Sequence, residues 1–372
     1  MTIHKLLVLT TLQFIITFSM DAAQTNVYFG TSGRNADGIY HSLFNDKNGR
    51  LSNPKRVAEL ASPGFLAIHP DKSCLYAVSK TGDIASYNIK AKGELELTNK
   101  ANTGDGGSAH LAVHPAGKYL ITAQYGGGSV SLFPIDEKGV IKDRVQLIEH
   151  EGASKAYEKR QESPHPHWSG FSPDGRFAFI PDLGIDKIVI YKVDLSKGNL
   201  TKHSSAETPT GSGPRHMKFS NDGNYIYLLN ELSLTIATFK YNKEEGLTEL
   251  IKITKTLSDE IKEKEMKNTA SEILVHPNSK YLYSANRGHD SISVFEIEKN
   301  NNLKLLEIES SRVSWPRNIN FDLSANWLLT AGQFSNAITV FKIDSTNGEL
   351  QFQHRNVANV PNPTCILFNP HK

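Results

Sequence analysis

The sequence predicts an all-β fold, a seven-bladed β-propeller whose last blade is closed by strands from both ends of the chain. The first observation is the stretch SEILVHPNSKYLYSANRGHDSISVF at 271–295. Its β-branched and aromatic residues alternate at period two, and turn residues at 276–280 and 286–290 divide it into three antiparallel strands. The second observation is recurrence. Variants of the unit begin at Phe65, His110, His167, His216 and Asn318. Their turns lie roughly 45–58 residues apart, the period of four-stranded blades. The third observation concerns the ends. TCILFN at 364–369 reads as a first strand with nothing after it, and VYFGTSGRNADGIYHSLF at 27–44 as a second and third with no first. Joining them completes a seventh blade and removes the unpaired edges of an open ring.

The chain in order begins with residues 1–23, which lie outside the repeat. His4 and Lys5 precede an apolar run at 6–18, and Ala22 and Ala23 follow. This reads as a secretory signal peptide, so the mature protein is expected to be periplasmic or secreted. Residues 24–372 form one propeller domain, because the repeats use nearly all of the length. The fourth strand of each blade is the weaker run after the third, as at 93–97 and 303–308. Two longer, charged connections, at 149–164 and 251–269, are expected as surface loops. A short helix fits 258–267 and nowhere else. A net charge of +2 gives no reason to expect nucleic acid or a membrane surface as partner once the leader is removed. With only two cysteines there is no thiolate metal site; Cys74 and Cys365 are expected as buried thiols rather than a disulfide.

Topology decides which residues can meet. In an up-and-down blade, the start of the first strand and the end of the second lie at one end, and every blade repeats this around the axis. First strands start at Pro164-His165-Pro166-His167, Pro214-Arg215-His216, Ser271-Glu272 and Pro316-Arg317-Asn318. Second strands end at Gln124-Tyr125, Asp182, Asn230-Glu231, Asn286-Arg287 and Gly332-Gln333. One face of the ring therefore gathers imidazoles, cations, carboxylates and amides, overhung by both long loops. The other face receives ordinary turns, where His69, His114 and His276 recur and are read as structural.

These residues resemble a known family. The blocks GPRHMKFS with LLNEL, HPHWSGFSPDGRFAFIPDLGIDKI, SANRGHDSISVF, and WPRN with TAGQ are similar to those of the seven-bladed propeller lactonases of the bacterial 6-phosphogluconolactonase type. Fungal carboxymuconate cyclase is a more distant relative. The resemblance implies a lactone bound over the central channel without metal or other cofactor. It implies His167, Glu231, Arg215 and Arg287 as the catalytic set. His165, His216, Asn230, Glu272, Arg317, Asn318 and Gln333 would be its substrate-binding neighbours. The expected partner is a small-molecule lactone, and the expected state a monomer.

The chemistry of the residues agrees. Ester hydrolysis needs an activated water, donors for a developing oxyanion and grips for polar ends. A carboxylate beside arginines keeps a low pKa, which favours His167 over Glu231 as base. Arg215 and Arg287 offer forked donors to a phosphate or carboxylate. Competing readings are a structural Arg215–Glu231 ion pair and a hydrogen-bonded strand role for His216. Tyr125-Gly126-Gly127-Gly128 has no helix after it and reads as a turn rather than a phosphate cradle. No G-x-S-x-G segment supports a serine nucleophile. His165 and His167 lack a third zinc ligand, and the face has too few carboxylates for calcium. The alternatives to a hydrolase are a lactonising isomerase using the same face, and a non-enzymatic binding propeller. The fold alone does not choose among them.

Overall fold

The computed structural model describes residues 24–34, 36–265 and 267–370, so the leader expected at 1–23 lies outside the described residues. Seven antiparallel sheets are present, and their strands are named a to d from the pore outward. Blade 1 is Pro63–Ile68, Cys74–Ser79, Asp83–Ile89 and Leu95–Asn102. Blade 2 is Ser108–Val113, Tyr119–Gln124, Ser129–Pro134 and Gln146–Glu149. Blade 3 is Gly170–Phe171, Phe177–Asp182, Lys187–Asp194 and Asn199–Glu207. Blade 4 is Pro214–Phe219, Tyr225–Asn230, Thr235–Asn242 and Leu247–Lys255. Blade 5 is Thr269–Val275, Tyr281–Arg287, Ser291–Ile297 and Leu303–Ser310. Blade 6 is Pro316–Phe321, Trp327–Gly332, Ala337–Ile343 and Leu350–Phe352. Blade 7 takes strand a from Pro363–Pro370, then Gln24–Thr31, Gly38–Asn45 and Lys55–Glu59. Antiparallel pairing of Gln24–Thr31 with Pro363–Pro370 is the expected closure by both ends.

The burial pattern follows from stacking. Strand b is covered on both faces by neighbouring blades, so Cys74–Ser79, Phe177–Asp182 and Trp327–Gly332 are buried at every position. Strand d has solvent beside it and is correspondingly exposed, as in Leu247–Lys255. The described residues form seven apolar clusters, one for each interface between adjacent blades. The cluster joining blades 6 and 7 packs Trp327, Leu329 and Ile338 against Val27, Phe29 and Phe44. Each repeat thus buries its faces only against its neighbours, which is why the ring must close.

The far-face histidines are clasps between blades. Nε2 of His69 reaches the Gly117 carbonyl at 3.1 Å, that of His114 the Gly175 carbonyl at 3.0 Å, and that of His276 the Ala325 carbonyl at 2.9 Å. Asn221 does the same work in blade 4, donating to the His276 carbonyl at 3.0 Å. Gly175 is required here: its φ is +74°, and a Cβ would come within 2.5 Å of His114.

Two expectations change in detail. Strand d of blade 4 extends to Lys255, so residues 251–255 of the expected second loop are strand and the connection shortens to 256–268. Leu250 and Ile251 are exposed there, and the edge position asks little apolar content of the segment. The helix is the single short turn Asp259–Lys264, capped by Ser258. Cys74 and Cys365 are both buried and form no disulfide.

Candidate functional site

A recurring β-bulge builds the site. The pairing of strands a and b slips by one residue between Pro63 and Phe65, between Pro214 and His216, and between Pro316 and Asn318. The residue left out of the ladder is Gly64, Arg215 or Arg317. Blades 2 and 7 slip at the same level and leave out Ala109 and Thr364. In blade 3, His167 takes the equivalent place, directly after Pro166, which bridges Asp182. A bulge releases one side chain from the alternation of the strand and re-aims it. A proline before the bulge supplies no N–H to the ladder, so the slip costs little there. The residues that end or follow strand b form a second set at the same level: Ser32, Lys80, Tyr125, Leu183, Glu231, Arg287 and Gln333.

Apart from Leu183 and Gln333, the two sets line a cavity of about 1090 Å³ over the pore. Of the eleven side chains singled out from sequence, His167, Arg215, His216, Glu231, Arg287 and Arg317 line it. His165, Asn230, Glu272, Asn318 and Gln333 do not line it. Asn230 is buried and donates to Thr235 Oγ1 at 3.0 Å; Gln333 donates to the Ser32 carbonyl at 2.6 Å. His165 stacks on Tyr125 with ring centroids 4.5 Å apart. Glu272 and Asn318 belong to a buried polar belt. Glu272 Oε1 meets His216 Nδ1 at 3.0 Å, Glu272 Oε2 accepts from Asn318 Nδ2 at 2.6 Å, and Asn318 Oδ1 accepts the Ile366 N–H at 2.8 Å. The belt ties the innermost strands of blades 4, 5, 6 and 7 together. Asn230, Glu272 and Asn318 lie in strand a or b, where the alternation of the strand turns them into the inter-blade packing, while His165 and Gln333 lie just outside the strands.

Glu231 is the electrostatic centre. Its carboxylate receives Arg215 Nε at 2.8 Å, Arg287 Nη2 at 3.0 Å and Arg160 Nη2 at 2.5 Å, with His167 Nε2 at 3.9 Å. Burial alone would raise its pKa, but Arg287 and Arg215, with His167 and Arg160, hold it well below the usual carboxylate range. Arg215 and Arg287 are therefore engaged by a protein carboxylate. The Arg215–Glu231 ion pair of the competing reading is present, while Arg215 Nη1 and Arg287 Nε have no hydrogen-bond partner among the described residues and both side chains line the cavity. Arg287 also donates to the Ala270 carbonyl at 2.8 Å and lies 5.3 Å from the Trp315 ring centre. Trp315 in turn stacks on Phe334 at 5.1 Å, giving the cavity a flat apolar wall.

Arg317 differs from these. It is partly exposed in the cavity and has no hydrogen-bond or ion-pair partner among the described residues. Burial and the neighbouring Arg287 lower its pKa, with Glu231 opposing. His167 has neither ring nitrogen in a protein hydrogen bond; Nδ1 is buried and Nε2 faces Glu231. Burial, then Arg215 and His216, push its pKa well below 6.5, so the ring is neutral at physiological pH. His216 lies 5.3 Å from it, ring to ring, and is lowered by burial and Arg215.

Sequence reading missed Arg160, Tyr157 and Lys80, all of which line the cavity. The first two arrive on the long loop before blade 3. Lys80 had a visible signal: it occupies in blade 1 the place of Glu231 in blade 4 and Arg287 in blade 5. Among the described residues, no group of three His, Cys, Asp or Glu side chains is arranged to hold a metal ion, and no helix is long and apolar enough to cross a membrane.

Comparison with known proteins places this arrangement. Residues 26–368 match the family model described as lactonase, 7-bladed beta-propeller. The 6-phosphogluconolactonase of Bacillus subtilis is 33% identical over 347 residues, covering 92% of this chain and 97% of the relative. The 6-phosphogluconolactonase of Formosa agariphila is 33% identical over 333 residues, covering 86% and 92%. Among solved structures, the periplasmic gluconolactonase PpgL of Pseudomonas aeruginosa superposes with a TM-score of 0.87 at 26% identity, covering 94% of this chain and all of that one.

Proposed function

The chain belongs to the seven-bladed β-propeller lactonase family, and from that premise we propose that it hydrolyses a sugar lactone, 6-phosphogluconolactone or a related aldonolactone, by metal-independent attack of water. The observation that carries the reading is the convergence, in one cavity, of a neutral histidine free of protein hydrogen bonds and an arginine with no protein partner.

In this mechanism His167 Nε2 takes a proton from water as the water oxygen bonds to the lactone carbonyl carbon. Negative charge develops on the carbonyl oxygen, where the N–H groups of Arg317 receive it. The imidazolium formed at His167 lies beside the Glu231 carboxylate, which offsets its burial. The tetrahedral intermediate expels the ring oxygen, which takes the proton back from His167, and the open hydroxy acid leaves. Arg215, Arg287 and Arg160 keep Glu231 ionised and in place. The flat wall of Trp315 and Phe334 suits the apolar face of a sugar ring. We also propose that the mature enzyme acts outside the cytoplasm, on the strength of the leader-like residues 1–23. N-terminal sequencing of the protein from cell fractions tests that point.

The activity is tested with purified mature protein against δ- and γ-lactones, with and without phosphate, alongside H167Q and R317M. Hydrolysis of at least one sugar lactone is expected, unaffected by EDTA and reduced at least about a hundredfold in both variants. Failure to open any lactone, full activity of H167Q, or loss of activity in EDTA would each refute the mechanism.

A further inference from the structure

The turn between strands b and c repeats one backbone device. In blades 3, 4, 5 and 6 its last residue is Asp186, Leu234, Asp290 or Asn336, with φ of +55°, +53°, +55° and +54°. The carbonyl of each accepts the N–H of Thr208, Thr256, Ser311 or Val360 at 2.9–3.0 Å. Leu234 shows that this turn asks for no polar side chain. The polar residues add a forward bond to the chain entering the next blade. Asp290 accepts the Trp315 N–H at 2.9 Å, and Asn336 the Asn362 N–H at 2.8 Å. Asp186 accepts those of Gly211 at 2.6 Å and Gly213 at 2.7 Å, just before Pro214 and Arg215.

Among the described residues, Asp186 differs from the other three in also reaching back to the long loop before its own blade. Gln161 Nε2 donates to Oδ1 at 2.8 Å, and the Ser154 hydroxyl to Oδ2. Asp186 is 5% exposed and has no ion-pair partner among the described residues, so these four donors are what satisfy it. The same loop brings two side chains to the cavity. Arg160, next to Gln161, donates from Nη2 to Glu231 Oε1 at 2.5 Å and from Nε to the Tyr125 hydroxyl at 3.4 Å. Tyr157 lies beside Gly211, where a Cβ would come within 3.1 Å of its ring. Gln161 is the one buried side chain between 150 and 164, so apolar packing does not fix this loop.

We propose that Asp186 is a positioning residue, which ties the 150–164 loop to the segment entering blade 4 and so holds Arg160 on Glu231. Its kinetic consequence rests on the lactonase reading above, in which Glu231 faces the imidazolium of His167. Asp186 touches neither Glu231 nor the cavity, and acts through Gln161 and Ser154 on the residue beside them.

The test uses the purified full chain as wild type, D186N, S154A, R160M and the doubles D186N/R160M and S154A/R160M. The substrate is 6-phosphogluconolactone or glucono-δ-lactone, whichever wild type opens faster. D186N puts an amide N–H among four donors, and should lower kcat/KM about tenfold; S154A removes one donor and should lower it about twofold. Neither change should lower kcat/KM further once R160M is present, because the bracket then has no arginine left to hold. Trypsin should cut at Lys155 or Lys159 about tenfold faster in D186N than in wild type. Effects that multiply in the doubles, or D186N with wild-type kcat/KM and wild-type cleavage, would overturn the proposal. If D186N does not fold, the S154A cycle decides by the same criterion. Wild type that opens neither lactone would defeat the lactonase reading, and the cleavage rates would then decide whether Asp186 holds the loop.

Discussion

Replacing Glu231 by Gln keeps the shape of the side chain and removes one buried charge from among Arg215, Arg287 and Arg160. Arg215 and Arg287 are themselves 1% and 3% exposed, so their charges would be left without compensation in a dry site. Breaking a buried pair by removing one partner costs about 3–5 kcal/mol. A chain of roughly 350 ordered residues has an unfolding entropy of about 0.7 kcal/mol/K, so E231Q should melt roughly 4–7 °C below wild type. The pH dependence has a definite sign. The folded-state pKa of Glu231 is depressed, so its contribution is fully present above the unfolded value near 4.5 and is lost as pH falls through the folded value below it. The gap between wild type and E231Q, measured by calorimetry or urea titration, should therefore be constant from pH 8 to 5 and close in more acid solution. E231Q melting within 1 °C of wild type at pH 7, or a gap that widens in acid, would refute the assignment of Glu231 as the anchor of three arginines.

Three other outcomes follow from the same geometry. Because burial and Arg215 hold the His167 pKa below 6.5, the rate should be flat between pH 6.5 and 8 and fall only at lower pH; an acid limb centred at or above 6.5 would remove His167 as base. N318L removes the donor to Glu272 Oε2 and should cost about 2 kcal/mol, seen as a Tm loss of roughly 3 °C, with KM changed less than twofold. A large KM effect would return Asn318 to the substrate. The Cys365 thiol is buried and its pKa pushed up to about 12, so it should resist thiol reagents in the native protein and react on unfolding. Native labelling of Cys365 would contradict its packing.

The number of blades, their order, and the face on which the cations, imidazoles and carboxylates gather were all legible in the sequence. Period-two strands and a turn every 45–58 residues encode one supersecondary unit, and the only closed solution for such units is a ring. The Pro-Arg-His and Pro-Arg-Asn blocks at 214–216 and 316–318 even mark the bulges that turn Arg215 and Arg317 to the pore. What the sequence could not assign was which of these side chains are free. Arg215 and Arg287 come from different strands, Glu231 from the turn after a third and Arg160 from a loop, and only their meeting decides that three arginines share one carboxylate and Arg317 does not. Glu272 and Asn318 likewise look like site residues in one dimension, yet pack behind the cavity as links between blades. Local patterning fixes strand and turn because those depend on near neighbours in the chain. The arginines that meet Glu231 lie 16, 56 and 71 positions away in the chain, and it is the three-dimensional closure of the ring that brings them together.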